Sequence, residues 1–197
     1  MSVRTSPYVI VVLIAVMAVA ACNRAPDVDE EARAAASRAV VQEFATDLRG
    51  QLQAAMAAGG PSAAIGVCKE VAPAIAASLS EREGWQVART SHRLRNPANA
   101  PDAHEAAVLE RFLTARAEGI GAETLEEFGI VDMADGTRSF RYMKAIPAEG
   151  PCLACHGAAI APEVAAAIAE AYPQDRATGF VEGDVRGAFT IIQPLDG

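Results

Sequence analysis

One short run of the sequence carries residues that could do chemistry, Cys152-Leu153-Ala154-Cys155-His156. Two cysteines separated by two residues and followed at once by a histidine are typical of the attachment of haem c. The thiols form thioethers with the vinyl groups of the porphyrin, and the histidine ligates the iron from one face. The run therefore predicts one covalently bound haem c, held by Cys152, Cys155 and His156.

Two other interpretations of the same run remain open. Cys152 and Cys155 could form a surface disulfide, with His156 incidental. A thioredoxin-like redox pair is the other alternative, but it requires a βαβ context and a cysteine at the start of a helix. Gly157 and Pro162 disfavour such a helix directly after the run.

The second axial position of the iron has several candidates. Electron-carrier cytochromes c commonly use a methionine that follows the motif, and no methionine follows Met143 in this chain. His104 falls in the first turn of a predicted helix and His92 in a polar stretch, so a surface position is favoured for both. Met143 fits core packing. The candidates are Cys68, Met133, Met143, His92 and His104, and a position without any protein ligand is the other alternative.

The N-terminus resembles a bacterial secretory signal. Arg4 precedes an apolar run over residues 8–21, which is short for a membrane span. The run ends in small residues directly before Cys22, which resembles the site at which lipoproteins are cleaved and acylated. A plain signal peptide is the alternative.

The N-terminal pattern also predicts the domain organisation and the location. We expect residues 1–21 to be removed, residues 22–30 to form a linker and residues 31–197 to form a single domain. Lipid at Cys22 would anchor the protein on the periplasmic side of a bacterial membrane. Asn23, in place of an aspartate that would retain the protein in the inner membrane, favours the outer membrane.

Cysteine arithmetic favours Cys68 as the second axial ligand. The chain has four cysteines, of which one is assigned to lipid and two to haem, so Cys68 is a single unpaired thiol. A lone buried cysteine often serves only as a small hydrophobic residue. A buried thiolate, however, needs a compensating charge, which ferric iron supplies.

Composition limits the class of protein. The chain has 197 residues and a net charge of −8, so it lacks the basic surface that binding to nucleic acid requires. Alanine contributes 44 residues, and only 35 Leu, Ile, Val and Phe residues occur in residues 22–197. Such a chain is poor in core-forming side chains, which a buried cofactor would supplement.

Hydrophobic spacing predicts an α+β fold. Apolar residues recur every fourth position in a helix over residues 30–58, which Gly59-Gly60-Pro61 ends. Ser62 begins a second helix that places Cys68 on its buried face and that Pro73 kinks or breaks. Further helices are predicted over residues 102–117 and 161–172, and strands over residues 85–91, 139–146 and 187–193.

Landmarks along the whole chain resemble one known family. They are Val67-Cys68 with Pro73, Arg89-Thr90-Ser91, residues 95–102, the run at residues 152–156, residues 172–180 and Gly183-Asp184-Val185-Arg186-Gly187. In this order they are similar to exported single-haem c-type cytochromes with a PAS-like domain, a family of unknown function first recognised in cyanobacteria. The resemblance implies a PAS-like antiparallel sheet with flanking N-terminal helices, covalent haem, and iron held by His156 and Cys68.

Arginines are the candidate partners of the haem propionates, because a guanidinium matches a carboxylate. Arg89 and Arg95 are the favoured candidates for this role. The other candidates are Arg93, Arg138 and Arg141.

These patterns predict a membrane-anchored mono-haem cytochrome that transfers single electrons or responds to redox state. Ligation of the iron by a thiolate predicts a low reduction potential. The partner of the cytochrome would be an unidentified redox protein. A redox or gas sensor that binds CO or NO and acts through a partner protein is the alternative, based on the PAS-like resemblance. An enzyme such as a peroxidase is not expected, because no distal acid or base is evident.

Overall fold

The computed structural model describes residues 28–195. The predicted signal peptide, the lipid site Cys22 and most of the linker lie outside the described residues, and they stay predictions.

An antiparallel sheet forms the centre of the described part. Its four strands are arranged in the order β1-β4-β3-β2. They are β1 (Gln86–Thr90), β2 (Glu126–Asp132), β3 (Arg138–Pro147) and β4 (Val185–Pro194). The sequence predicted β1, β3 and β4, and the structure confirms all three.

Strand β2 was missed. It carries Phe128 and Ile130 at alternate positions, which is the pattern of a strand, but Glu126, Glu127 and Gly129 lower its strand propensity. Pairing with β3 along the whole length of β2, from Glu126 opposite Lys144 to Asp132 opposite Arg138, compensates for that low propensity.

Two N-terminal helices are separated by a short π-helix. Helix α1 (Glu30–Gly66) leaves helical geometry at Gly59 and Gly60, the break predicted from sequence. Gly60 has φ +68°, a conformation that favours glycine. The π-helix covers Val67–Val71, and α2 covers Ala72–Glu83.

The remaining helices are α3 (Ala103–Ala117), α4 (Leu153–His156) and α5 (Pro162–Ala171). Asp102 and Glu105 form the predicted capping box at the start of α3, in which each side chain bonds to the other's backbone N–H. Short 3₁₀ turns occupy Pro97–Asn99, Ala122–Thr124 and Gly150–Cys152.

Each face of the sheet is covered by helix. Phe44 of α1 is fully buried in one cluster with Phe140 and Tyr142 of β3. Met143, the next residue along β3, points to the opposite face, where it packs against Val108 of α3 and its neighbours. The α+β fold, an antiparallel sheet with flanking helices, is confirmed.

A buried ionic cluster ties α3 to the sheet. The side chain of Arg141 on β3 is only 4% exposed, and it pairs with Asp102 at 2.7 Å and with Glu105 at 3.2 Å. The hydroxyl of Thr190 on β4 donates to Glu105 at 2.7 Å. Arg141, one of the wider set of predicted propionate partners, is therefore engaged by these carboxylates.

Replacing Arg141 should strongly destabilise the fold, because Glu105 would remain buried without its cation. We expect Arg141→Met to lower the free energy of unfolding by about 3–5 kcal/mol, measured by denaturant titration. The double variant Arg141→Met/Glu105→Leu should lose less, since it buries no unpaired charge.

The matched control for this prediction is Arg111→Met, which breaks an exposed pair between Arg111 on α3 and Glu127 on β2. Its cost should stay below about 1 kcal/mol. Equal free energies of unfolding for Arg141→Met and Arg111→Met would show that the buried ionic cluster of Arg141 does not stabilise the fold as predicted.

Candidate cofactor-binding cavity

A cavity of about 400 Å³ lies between the C-terminal half of α1, the π-helix, β1 and the segment that carries the Cys-x-x-Cys-His run. The apolar stripe of α1 explains one wall. Val40 and Phe44 pack on the sheet, whereas Leu52 and Met56, two and three turns further along the same stripe, line the cavity. The helix therefore extends its hydrophobic face past the sheet to this space.

Cys68 lines the cavity from the π-helix. Pro73 has no N–H, so the carbonyl of Lys69 lacks its usual helical partner. The backbone widens just before this point, and the N–H of Ala72 bonds to the carbonyl of Val67, five residues earlier. The predicted irregularity near Pro73 thus falls on the turn that presents Cys68.

The Cys-x-x-Cys-His run lies on the opposite side of the cavity. A 3₁₀ turn and the single turn of α4 bring Cys152, Cys155 and His156 into its lining. Gly157 follows in extended conformation, and a side chain there would begin 2.6 Å from the carbonyl oxygen of Leu153. Only glycine therefore allows the chain to leave the motif in this direction.

Both motif thiols are free in the structure, and neither forms the disulfide considered from sequence. Burial raises the pKa of Cys155, although Arg95 opposes this change. A thioredoxin-like cysteine instead has a lowered pKa. The site therefore favours thiols that are held for attachment over a reactive redox pair.

The segment after Tyr172 clamps the motif through its backbone. The N–H of Phe180 donates to the carbonyl of His156 at 3.0 Å, and that of Gly179 donates to Gly157 at 3.0 Å. The ring nitrogen Nδ1 of His156 lies 2.6 Å from the carbonyl oxygen of Ala177. Because a carbonyl can only accept, Nδ1 carries the proton, and Nε2 keeps the lone pair that binds a metal.

His156 is held neutral. Burial, followed by the positive charges of Arg186 and Arg95, lowers its pKa to about 3. The Nε–H of Arg186 also points at Nδ1, from 3.2 Å. Because Nδ1 already donates to the closer carbonyl of Ala177, this second donor makes a repulsive contact and not a hydrogen bond. Neutral imidazole is the form that ligates metals, so His156 presents Nε2 in a form that could bind a metal.

Arg95 joins the pieces of this wall. Its side chain is 7% exposed and pairs with Asp175 through Nε and Nη2, both at 3.1 Å. Nη2 also donates to the carbonyl of Cys155 at 2.6 Å and to that of Ala177 at 3.3 Å. Arg95 therefore positions the motif, and pairing with a propionate, as predicted from sequence, stays a prediction.

The cavity is strongly cationic. Arg89, Arg95 and Arg186 all line it, and within residues 28–195 Asp175 is the carboxylate that pairs with one of them. Burial lowers the pKa of Arg89, and burial together with the other two arginines lowers that of Arg186 to about 10. The two lowered values show that burial makes a charged guanidinium costly here, and at Arg186 the neighbouring arginines add a repulsion that an anionic ligand would relieve.

Sequence analysis missed Arg186. Its signal is its place in the run at residues 183–187, one of the landmarks of the family resemblance. Arg89, which sequence analysis favoured, lies in the cavity lining and stacks over the ring of Phe44 at 5.5 Å. Arg138 lies at the start of β3, whereas Ile146, near the end of the same strand, lines the cavity. Arg138 is not among the residues that line the cavity.

Cys68 is the candidate axial ligand that the structure brings to the cavity together with His156. Met143 is buried in the core on the α3 face of the sheet, and His104 lies in the first turn of α3. His92 lines a different groove. Within residues 28–195, no group of three or more His, Cys, Asp or Glu side chains could hold a bare metal ion.

Comparisons with known proteins bear on the family and the fold of the chain. The model of the Tll0287-like family matches residues 23–194. The crystal structure of the cyanobacterial heme-protein Tll0287 is similar to the chain with a TM-score of 0.61 and 23% sequence identity. The match covers 86% of this chain and 98% of that protein. No curated protein matches the chain.

Replacing Arg95 should loosen the motif. We expect Arg95→Met to lower the free energy of unfolding by about 3–5 kcal/mol, because Asp175 and two backbone carbonyls lose their donor. Arg95→Lys should lose less, since it keeps the charge but cannot reach all three acceptors at once. Denaturant titration would measure both.

Arg82→Met serves as the control, because Arg82 forms an ion pair with Glu43 on the surface and is 51% exposed. A cost below about 1 kcal/mol is expected for it. If Arg95→Met cost no more than Arg82→Met, the positioning role of Arg95 would be wrong.

Proposed function

The chain belongs to the Tll0287-like family, and from that premise we propose that it is an exported, membrane-anchored haem c protein that transfers single electrons in the periplasm. The observation that carries the proposal is that Cys68, Cys152, Cys155 and His156 line one cavity. Residues separated by more than eighty positions meet there in the combination that haem c and an axial pair require.

The chemical character of the cavity fits a haem. Apolar side chains of α1, including Leu52 and Met56, and the ring of Tyr172 directly after α5 suit the faces of a large flat ring. Three guanidinium groups suit the two propionates, and Arg89 forms no ion pair with any described carboxylate, so its fork is available for one of them. The two thiols of the motif line the cavity, where they could form thioethers with a haem.

The protein's residues would fix the properties of the bound group. His156, oriented by Ala177, offers Nε2, and Cys68 offers sulfur from the π-helix. When bound, the haem supplies an iron that alternates between the ferric and ferrous states. A thiolate from Cys68 would stabilise the ferric state and lower the potential, whereas the surrounding arginines would raise it.

The remaining parts of the proposal concern location and partner. Removal of residues 1–21 and acylation of Cys22 would tether the domain on the periplasmic side, with the outer membrane favoured. An unidentified redox protein would exchange electrons with it. The proposal assigns the protein no catalytic activity and no nucleic-acid partner.

A sensor of redox state or of CO and NO is the second candidate function. The observation that favours it is the position of Cys68 in a π-helix between the Gly59–Gly60 break and Pro73. Irregular helical turns of this kind are common at functional sites and can rearrange. Release of Cys68 on reduction would open a position for a gas, and a partner protein would read the change.

Covalent attachment is tested first. The protein secreted into a periplasm should keep its haem after acidic acetone extraction, whereas Cys152→Ala/Cys155→Ala should release it. Without haem the cationic, partly apolar cavity would be empty of its ligand, so we expect this double variant to lose cooperative unfolding. Release of haem from the wild type would refute haem c.

Axial ligation by Cys68 is tested by spectroscopy. We expect the ferric protein to be low-spin by EPR, and Cys68→Ser to change the spectrum and raise the midpoint potential, because the thiolate is lost. A high-spin wild type, or an unchanged low-spin spectrum in Cys68→Ser, would show that Cys68 is not a ligand.

Met143→Leu is the matched control, because it replaces a buried sulfur ligand candidate with a residue of similar volume. Its spectrum should equal that of the wild type.

Addition of CO or NO to the reduced protein then separates the two candidate functions. Binding of either gas would favour the sensor, and failure to bind both would favour the electron carrier.

A further inference from the structure

A second groove, of about 470 Å³, lies next to the cofactor cavity. The residues that leave β1 divide between the two spaces. Ser91, Leu94 and Arg95 line the cofactor cavity, whereas His92 and Arg93 line the groove. Phe180 also lines the groove, and its ring packs edge to face against His156 of the cofactor cavity with centroids 6.3 Å apart. The groove is thus a separate space that shares one aromatic wall with the cavity.

Two arginines of the groove are held in place by the loop over residues 178–184. Nη1 of Arg93 donates to the carbonyl of Thr178 at 3.1 Å, and its guanidinium lies 4.9 Å from the ring centroid of Phe180. Nε of Arg116, at the end of α3, donates to the carbonyl of Gly183 at 2.7 Å. A guanidinium anchored by one nitrogen keeps its other N–H groups available for a ligand.

A glycine of the loop makes room for Arg116. Gly183 has φ +82°, and a side chain there would begin 3.2 Å from Nη2 of Arg116. Gly179, with φ +79°, lies in the same way against Nη1 of Arg93, at 3.7 Å. The loop is therefore shaped to bring both guanidinium groups close to its backbone.

Neither arginine is neutralised. Within residues 28–195, Arg93 and Arg116 form no ion pair, although six other arginines of the same part do. The groove contains one carboxylate, Asp184, whose Oδ2 accepts a hydrogen bond from the N–H of Val181. The groove therefore holds two guanidinium groups and one carboxylate, a net positive charge on a chain whose own charge is −8.

His92 adds an unsatisfied polar atom to the same groove. Its Nδ1 is shielded from solvent and forms no hydrogen bond with any described residue. Burial, with help from Arg93 and Arg186, lowers its pKa, so the ring is neutral and has one N–H to donate. A buried polar atom without a partner is costly, and because the His92 ring lines the groove, a turn of the ring would let a ligand there satisfy it.

We propose that the groove formed by His92, Arg93 and Arg116 binds a small oxyanion, a molecule that presents carboxylate or phosphate oxygens. The two guanidinium groups supply charge-assisted hydrogen bonds, and the imidazole supplies a further polar contact. The binding site is distinct from the proposed haem site, and it requires neither electron transfer nor gas binding.

The test is isothermal titration calorimetry on the purified protein with its natural cofactor content. Inorganic phosphate and acetate would be added separately at constant ionic strength, which sodium chloride maintains. We expect saturable binding of at least one of them at one site per chain, and the tighter of the two identifies the source of the oxygens. Absence of saturable binding by both would overturn the proposal.

Variants then locate the site. Arg93→Gln and Arg116→Gln should each weaken binding by about tenfold or more, the effect of one charge-assisted hydrogen bond. Arg82→Gln removes an exposed arginine on α2 and should leave the affinity unchanged. Equal affinity in Arg93→Gln, Arg116→Gln and wild type would overturn the proposal.

A further variant covers the case in which Arg116→Gln unfolds the loop at Gly183. His92→Phe keeps an aromatic ring in contact distance of Phe180, which His92 now meets edge to face at 5.9 Å, but removes both ring nitrogens. We expect native thermal unfolding of His92→Phe with weaker binding of the oxyanion. A folded His92→Phe with unchanged affinity would exclude the imidazole from the site.

Discussion

The guanidinium group of Arg95 is the contact on which the rest of the site depends. It lies in the loop after β1, and it bonds to Asp175, to the carbonyl of Cys155 and to the carbonyl of Ala177. Three segments that are distant in the chain meet at this one side chain. The carbonyl of Ala177 also accepts a hydrogen bond from Nδ1 of His156. Arg95 therefore bonds to the same oxygen that orients the proposed iron ligand.

Charge is the second organising feature. The chain is acidic as a whole, yet Arg89, Arg95 and Arg186 share one cavity, and Arg93 and Arg116 share the neighbouring groove. Such crowding is unfavourable unless anions are bound, and the pKa of Arg186, lowered by burial and then by Arg95 and Arg89, reflects part of that cost. Concentrated positive charge on an acidic protein is consistent with two sites for anionic groups, the proposed propionates and the proposed oxyanion.

The alanine-rich composition has a structural counterpart. Large side chains are concentrated where α1 and α3 meet the sheet, as in the pairing of Phe44 with Phe189, whose ring centroids lie 5.2 Å apart. Beyond the sheet the apolar stripe of α1 continues to Leu52 and Met56, which line a cavity and not a packed core. These apolar side chains face a space that no described side chain fills, and it is there that the cofactor is proposed to bind.

Much of this protein could be predicted from its sequence, because the decisive signals are local. The Cys-x-x-Cys-His run, the break at Gly59–Gly60, the disturbance near Pro73 and the capping box at Asp102 depend on neighbouring residues, and the structure confirms the last three. Strand β2 was missed because its stability comes from pairing with β3 and not from its own residues. The same limit applied to individual arginines, whose charge is visible in the sequence but whose partners are not.

Tertiary structure alone decided which residues meet. It brought Cys68 to the same cavity as His156. It placed Met143 in the core between the sheet and α3, away from that cavity, and it paired Arg141 with Asp102 and Glu105. It also revealed Arg186 beside His156 and the unpaired Arg93 and Arg116. These relations join residues far apart in the chain, and the physical reason is that contact and burial depend on the packing of whole elements, which no local pattern encodes.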